Sequence, residues 1–369
     1  MRIIHIADIH WRGLSRHDEY VTVFNDFYKK VKRLKPDIIY VGGDIVHSKT
    51  QGISPELIDN LIMWFKNLGD ICSTHVILGN HDGLMHNKDR QDAITPIVSA
   101  LNHPNVHLYK DSGVYQIDDT EFNLCVFSCF DEGNWDKVVP VEGMINIALY
   151  HGAVRGSLTD TDWVLDGEVN SSIFSSFEFA LLGDIHKRQY LTKSKNVAYC
   201  GSTIQQNYGE DTEKGFLVWD IKTATDFKSK FYNPFITIDW AGNTSSTLRS
   251  CSKHSNGARF RVRSSVPITQ AESKRIIAEL KHIKNAKEVV FKVESNFDVS
   301  KINENKAYNS SRNLRETKTH VQLLKEYYKD ANFSEQMFKS MESIVENALL
   351  EINKNEDNLR NVSWTINRL

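Results

Sequence analysis

Five short stretches of this 369-residue chain carry residue types that bind metal ions. They are Asp8-Ile9-His10, Gly42-Gly43-Asp44, Gly79-Asn80-His81-Asp82, His151-Gly152 and Gly183-Asp184-Ile185-His186. Carboxylate, imidazole and amide oxygen together suit Mn²⁺, Fe²⁺ or Zn²⁺. A carboxylate such as Asp44, shared by two ions about 3.5–4 Å apart, is the arrangement used for displacement at a phosphoester. His81 and His47 remain over for proton transfer or phosphate contact. A lone histidine is usually structural, and a lone Gly-Gly-Asp is usually a turn. The inference rests on the joint occurrence.

Each stretch follows an apolar run that reads as a strand. Residues 2–7, 37–41, 75–78, 145–150 and 178–182 supply the five runs. Ligands are thereby expected at the carboxyl ends of strands, where open α/β sheets bind them. In extended chain, residues two apart point to one side, so Asp8 and His10 can reach one ion, as can Asp184 and His186. Val21, Phe24, Phe27, Val31 and Leu34 recur at helical spacing, and Ser54-Pro55 opens a second helix. A third helix is expected over 91–101. Strands alternating with helices predict an α/β sheet with covered faces. Further short strands without long helices, at 105–109, 113–118, 121–127, 145–150 and 178–182 and continuing over 197–232, predict a second, more antiparallel sheet packed on the first.

After Asn233-Pro234 the pattern changes. Strand (258–262), helix (268–283) and strand (288–293) predict a small α+β unit. Residues 295–313 are rich in Ser, Asn and Lys and read as a linker. Two helices, roughly 317–330 and 334–352, follow. A helix pair beyond a linker has little core of its own and is expected to dock on a partner. The alternating Val362–Ile366 reads as a terminal strand. The divisions expected are 1–233, 234–294, 295–313, 314–353 and 354–369.

Net charge is −2, but residues 249–318 hold 16 Lys+Arg against 7 Asp+Glu, leaving −11 for the rest. A basic module on an acidic body could contact a polyanion. Arg259, Arg261 and Arg263 alternate along one strand and are the candidate contacts to such a polyanion, DNA if the resemblance described below holds. No apolar run approaches the ~20 residues that span a bilayer, and the first residues do not read as a signal peptide. Five cysteines without a Cys-x-x-Cys pair point to free thiols in a reducing, cytoplasmic compartment.

The five stretches resemble the signature of the calcineurin-like metallophosphoesterases: Asp-x-His, Gly-Asp, Gly-Asn-His, His and Gly-His-x-His. Within that superfamily the chain is similar to the SbcD-type nuclease subunits of double-strand-break repair and their phage recombination-endonuclease relatives. His47 three residues after Asp44, Asp82, Tyr199-Cys200-Gly201-Ser202 and Glu213-Lys214-Gly215-Phe216 extend the likeness. It is most specific over residues 1–220.

The resemblance implies a two-sheet sandwich flanked by helices, an α+β capping domain and a C-terminal helical segment that binds the coiled coil of an SbcC-type ATPase. It implies a DNA exo/endonuclease acting on double-stranded ends and single strands, as a homodimer, with two Mn²⁺ (Fe²⁺, Zn²⁺ and Mg²⁺ being alternatives). One ion would take Asp8, His10, Asp44 and His186. The other would take Asp44, Asn80, His151 and Asp184. His81 would protonate or stabilise the leaving group, and His47 would hold the phosphate. Asp184 departs from the family's histidine; it is a competent ligand, the alternative being a one-ion site. Two further readings stay open: a phosphatase or nucleotidase of the same superfamily, or a DNA-end-binding scaffold with a degenerate site.

Overall fold

The computed structural model describes residues 1–293, except 48–52, 86, 88, 89, 119, 168, 221, 222 and 229–231, and the backbone alone over 223–228. The expected linker, helix pair and terminal strand lie outside the described residues.

The order begins β1 (Arg2–Ile6), α1 (His17–Leu34), β2 (Ile38–Gly42), α2 (Pro55–Gly69), β3 (Ser73–Ile77), α3 (Thr95–Leu101) and β4 (Val106–Tyr109). In α1 the residues Tyr20, Val23, Phe24, Phe27 and Val31 form the buried stripe; of the expected set Phe24, Phe27 and Val31 lie in it, Leu34 is partly buried against the core, and Val21 faces solvent. Lys35, in the left-handed conformation, stops it ahead of Pro36. Ser54 caps α2 by accepting from the Leu57 amide at 3.1 Å, and Pro55 occupies the first turn. The third helix is shorter than expected. Asp92 accepts from the amides of Ile94 and Thr95, which holds the preceding residues in a turn.

The chain continues through β5 (Gly113–Gln116), β6 (Phe122–Phe127), β7 (Ile145–His151), β8 (Phe179–Gly183), β9 (Gln189–Tyr190), β10 (Val197–Tyr199), β11 (Gly215–Asp220) and β12 (Thr223–Lys228). Two six-stranded sheets result, ordered β12-β11-β1-β2-β3-β4 and β5-β6-β7-β8-β10-β9. Ile3, Tyr40 and Ile77 of the first pack against Leu124, Leu149 and Leu181 of the second. Helices α1 and α2 cover the first sheet's outer face through Phe24, Phe27, Leu61 and Phe65.

The second sheet corrects an expectation. Its centre is parallel, β6 to β7 to β8 to β10, and only β5 and β9 pair antiparallel. A parallel return needs a long crossover, but that crossover need not be a helix. Here the segments 128–144 and 152–178 return as loops holding short 3₁₀ turns (Glu132–Lys137 and Ser171–Phe174).

A third sheet, β13 (Phe235–Asp239), β14 (Arg259–Ser264) and β15 (Glu288–Val293), is parallel, with α4 (Thr244–Ser252) and α5 (Gln270–Lys284) between its strands. Phe260, Val262, Ile276 and Leu280 form its own core. Thr269 and Glu272 make a reciprocal cap at the start of α5. The unit is anchored to α1 by Glu19, which is buried and accepts from Arg16 at 2.9 Å and from Arg259 at 3.0 Å. Both guanidinium groups also lie over the Phe235 ring. Among the described residues no helix is long and apolar enough to cross a membrane.

Candidate metal centre

Strands β1, β2 and β3 of one sheet and β7 and β8 of the other end on a common space. There the chain leaves extended geometry. Asp8, His10, Asp44 and Asp184 all take positive φ, at 52°, 53°, 51° and 100°. The convergence of Asp8 with His10 therefore comes from left-handed turns, not from the two-residue period of a strand. Non-glycine residues hold this conformation only where surrounding bonds impose it. The Asp8 amide donates to Gly43 O, the His10 amide to Asp44 O and the Asp184 amide to the Asp8 carboxylate (3.1, 2.9 and 3.0 Å).

Asp44 is the meeting point. Its Oδ1 lies 3.3 Å from His151 Nε2 and accepts the His81 amide at 2.8 Å. Its Oδ2 lies 3.6 Å from His10 Nε2. His10 Nε2 is 2.9 Å from His186 Nε2, and His151 Nε2 is 3.2 Å from Asn80 Oδ1 and 3.8 Å from Asp184 Oδ1. The seven expected ligands thus share one site, Asp184 among them, and three overlapping carboxylate–imidazole groups can be drawn through Asp8 and Asp44. Two glycines make this density possible. A Cβ on Gly79 would lie 2.2 Å from Asp44 Oδ1, and one on Gly183 would lie 2.1 Å from Gly42 O.

Outer contacts fix the rings. His151 Nδ1 lies 2.6 Å from Gly42 O, which can only accept, so Nδ1 carries the proton. His186 Nδ1 likewise donates to Glu210 at 2.8 Å. In the neutral rings both Nε2 atoms are then lone pairs aimed at carboxylate and amide oxygens and at His10. Acceptors facing acceptors require a cation between them, and this donor set fits divalent metal.

Without metal, protons fill that need. Burial works against a charge on His151, but Asp44, Asp184 and Asp8 outweigh it and hold its pKa well above the ordinary value. Burial is likewise outweighed at His186, where Glu210 and Asp8 raise the pKa to about 9. Burial lifts Asp8 to about 7, while at Asp44 the surrounding histidines overcome burial and depress it. Mn²⁺ binding near neutral pH is therefore expected to release about two to three protons per chain. Affinity is expected to climb as pH approaches 9. Calorimetry in buffers of different ionisation enthalpy measures both, and binding without proton release would overturn the ring assignments.

His81 donates from Nδ1 to His47 O at 2.6 Å, leaving Nε2 on a part-exposed ring 4.0 Å from Asp44 Oδ2. His47 stands behind it, its ring 5.5 Å from that of His10. Burial, then Arg12 and His81, lower its pKa to about 4, so it is a neutral ring near pH 7.

Arg259, Arg261 and Arg263 do alternate on β14, the middle cap strand. Arg259 is spent on Glu19 and Asn233 O, and Arg261 on Thr237 and Tyr208. Arg263 is exposed and pairs with Asp239.

Two supporting residues were not legible as such. Asp82 is fully buried and accepts from the amides of Ile45, Val46 and Gly79 (2.8, 3.0 and 2.8 Å), tying the loop after β2 to the loop after β3. Glu210 comes from the loop before β11. Besides His186 it accepts from Ser202, the Gln206 amide, Asn207 and Lys214. Lys214, itself buried, also reaches Asp160 and His186 O. Glu210 has no motif of its own, although its partner Lys214 belongs to the Glu-Lys-Gly-Phe run.

Known proteins resemble this chain over part of its length. Residues 1–176 match the family model described as calcineurin-like phosphoesterase, a stretch that ends before β8 and so before Asp184 and His186. "Uncharacterized protein R555" of Acanthamoeba polyphaga mimivirus is 38% identical over 235 residues, 59% of this chain but 17% of that protein. "Putative phosphoesterase 244L" of Invertebrate iridescent virus 6 is 22% identical over 232 residues, covering 59% of this chain and 75% of that protein. Among solved structures, the Pseudomonas putida nuclease MPE matches with TM-score 0.25 and 16% identity over 44% of this chain and 66% of that one, too slight a likeness to carry an argument.

Proposed function

We infer that this chain, whose residues 1–176 carry the calcineurin-like phosphoesterase pattern, is a metal-dependent nuclease that hydrolyses DNA phosphodiester bonds. One observation carries the reading: two imidazole lone pairs, fixed by Gly42 O and Glu210, converge with Asp8, Asp44, Asn80 and Asp184 on a single space. Asp8, His10, Asp44 and His186 would hold one cation, and Asp44, Asn80, His151 and Asp184 a second. Divalent cations bound at these donors supply a hydroxide at neutral pH and Lewis-acid polarisation of the phosphoryl oxygens. The remaining work falls to the chain. Asp8, Asp44 and Asp184 supply the negative charge that sets the site's affinity. His81, with Nε2 unblocked, moves or holds a proton at the leaving oxygen. His47, neutral, offers a hydrogen bond and not a charge to the phosphate.

A polynucleotide rather than a small monoester is favoured by the cap unit, which lines up β14 beside the body through Glu19 and Arg259. The partnership with an SbcC-type ATPase, a homodimer and a role in double-strand-break repair are proposed on the resemblance to the SbcD-type nucleases. Mn²⁺ as the working ion is proposed on the same footing.

The test is direct. Full-length protein with Mn²⁺, alone and with such an ATPase, is incubated with duplex ends, single strands and p-nitrophenyl phosphate. Cleavage of DNA with little monoester turnover is expected. Intact DNA in every condition, or preference for the monoester, would sink the nuclease reading.

A further inference from the structure

We propose that Arg12 holds a phosphate of the substrate strand adjacent to the scissile one, making a subsite beside His47. The inference rests on the phosphodiesterase reading above and names a contact which that reading does not contain.

Arg12 follows the ligand His10 by two residues. Beyond the ends of β1 and β2 the chains stay paired: Trp11 bridges Val46, and the His47 amide donates to Trp11 O at 2.8 Å. That register sets Arg12 next to His47. The proximity is felt electrostatically, since Arg12 is the first charged neighbour that depresses His47.

What sets Arg12 apart from Arg16 and Arg259 beside it is that no carboxylate is bound to it among the described residues. Arg16 binds Glu19 through both Nε and Nη2, and Arg259 binds the same carboxylate. Two guanidinium groups therefore share one glutamate. Among the described residues Arg12 makes no ion pair, and its one side-chain hydrogen bond is a long contact, 3.4 Å, from Nη2 to Gln206 O. Its Nε is buried without an acceptor, as is Nη1 of Arg16. An unmet buried donor is costly and uncommon. Arg12 as a whole is only half-buried. A guanidinium with open donors is suited to grip phosphate with two parallel hydrogen bonds. A polynucleotide brings a second phosphate one nucleotide from the first, whereas a simple diester does not.

The experiment uses full-length wild type, Arg12→Gln and Arg12→Lys. Hydrolysis with Mn²⁺ is measured on a single-stranded oligothymidylate and on bis(p-nitrophenyl) phosphate. Oligothymidylate binding is followed by fluorescence anisotropy in EDTA over a series of KCl concentrations. The expected result for Arg12→Gln is a KM on the oligonucleotide raised by about tenfold more than on the diester. The slope of log affinity against log salt should fall by about 0.7, the signature of one lost phosphate contact on a single strand. Arg12→Lys should restore the slope but not the whole KM, because it keeps the charge and loses the fork. An unchanged slope, equal losses on both substrates, or wild-type binding without salt dependence would each overturn the subsite. If the wild type hydrolyses neither substrate, the phosphodiesterase reading itself has failed, and that outcome is distinguishable because it shows in the wild type before any Arg12 variant is compared.

Discussion

Asp44→Asn lowers phosphodiester hydrolysis by on the order of a thousandfold or more, beyond the roughly 10–100-fold that outer-shell changes cost at metal sites. The side chain keeps its shape but loses a charge at the point where the two sheets meet. Oδ1 now serves both the His81 amide and the His151 side, and Oδ2 faces His10. An amide supplies one acceptor in place of two and turns a donor toward one of these groups. If the NH₂ takes the Oδ1 place, it opposes the His81 amide; if it takes the Oδ2 place, it enters the space between His10 and His81. Metal content after dialysis should fall with activity. Wild-type turnover by Asp44→Asn at saturating Mn²⁺ would mean that Asp44 is not a shared ligand.

The residues that converge on the site were legible because their signals are local. An apolar run followed by Gly-Asp or Gly-Asn-His marks a strand end whatever the rest of the chain does. The glycines in those runs have a steric reason that spacing alone conveys: Gly79 and Gly183 sit where a methyl group would strike Asp44 or Gly42. The backbone at the site was not legible. Extended geometry predicts convergence of Asp8 and His10 by alternation, yet both adopt left-handed φ, held by hydrogen bonds to Gly43 and Asp44 that no local pattern encodes.

The parallel centre of the second sheet was hidden for a related reason. Its crossovers are irregular loops, and helical periodicity is the usual sign of a crossover. The charge count over 249–318 does not say which guanidinium groups are already paired. Arg259 and Arg261 join the cap to Glu19 and Tyr208. Arg12, in a stretch of no special composition, makes no ion pair among the described residues. Only three-dimensional pairing separates the two kinds.

The second large effect belongs to Glu210. Glu210→Ala is expected to lower metal affinity or activity by roughly 10–100-fold, since it removes the group that fixes the His186 ring. It should also destabilise the metal-free fold by about 3–5 kcal/mol, because Lys214 is then left buried with Asp160 as its remaining carboxylate. Glu210→Gln separates the two roles. Its amide oxygen can still accept from His186 Nδ1, so it should retain more activity than the alanine variant while losing the charge that balances Lys214.

The pH dependence fixes the sign. His186 and Lys214 outweigh burial and hold Glu210 at about 2 against 4.5 when unfolded, so its stabilisation is full above 4.5 and is lost as pH falls toward 2. His186 is raised from 6.5 to about 9, so its share is full below 6.5 and is lost as pH rises through 9. In metal-free protein the stability gap between wild type and Glu210→Ala should therefore be widest between pH 4.5 and 6.5 and narrow on both sides, as read by urea unfolding. A gap that stays constant across that range would show that Glu210 acts through packing alone. Equal activity of the alanine and glutamine variants would show that ring orientation at His186 is set by something else.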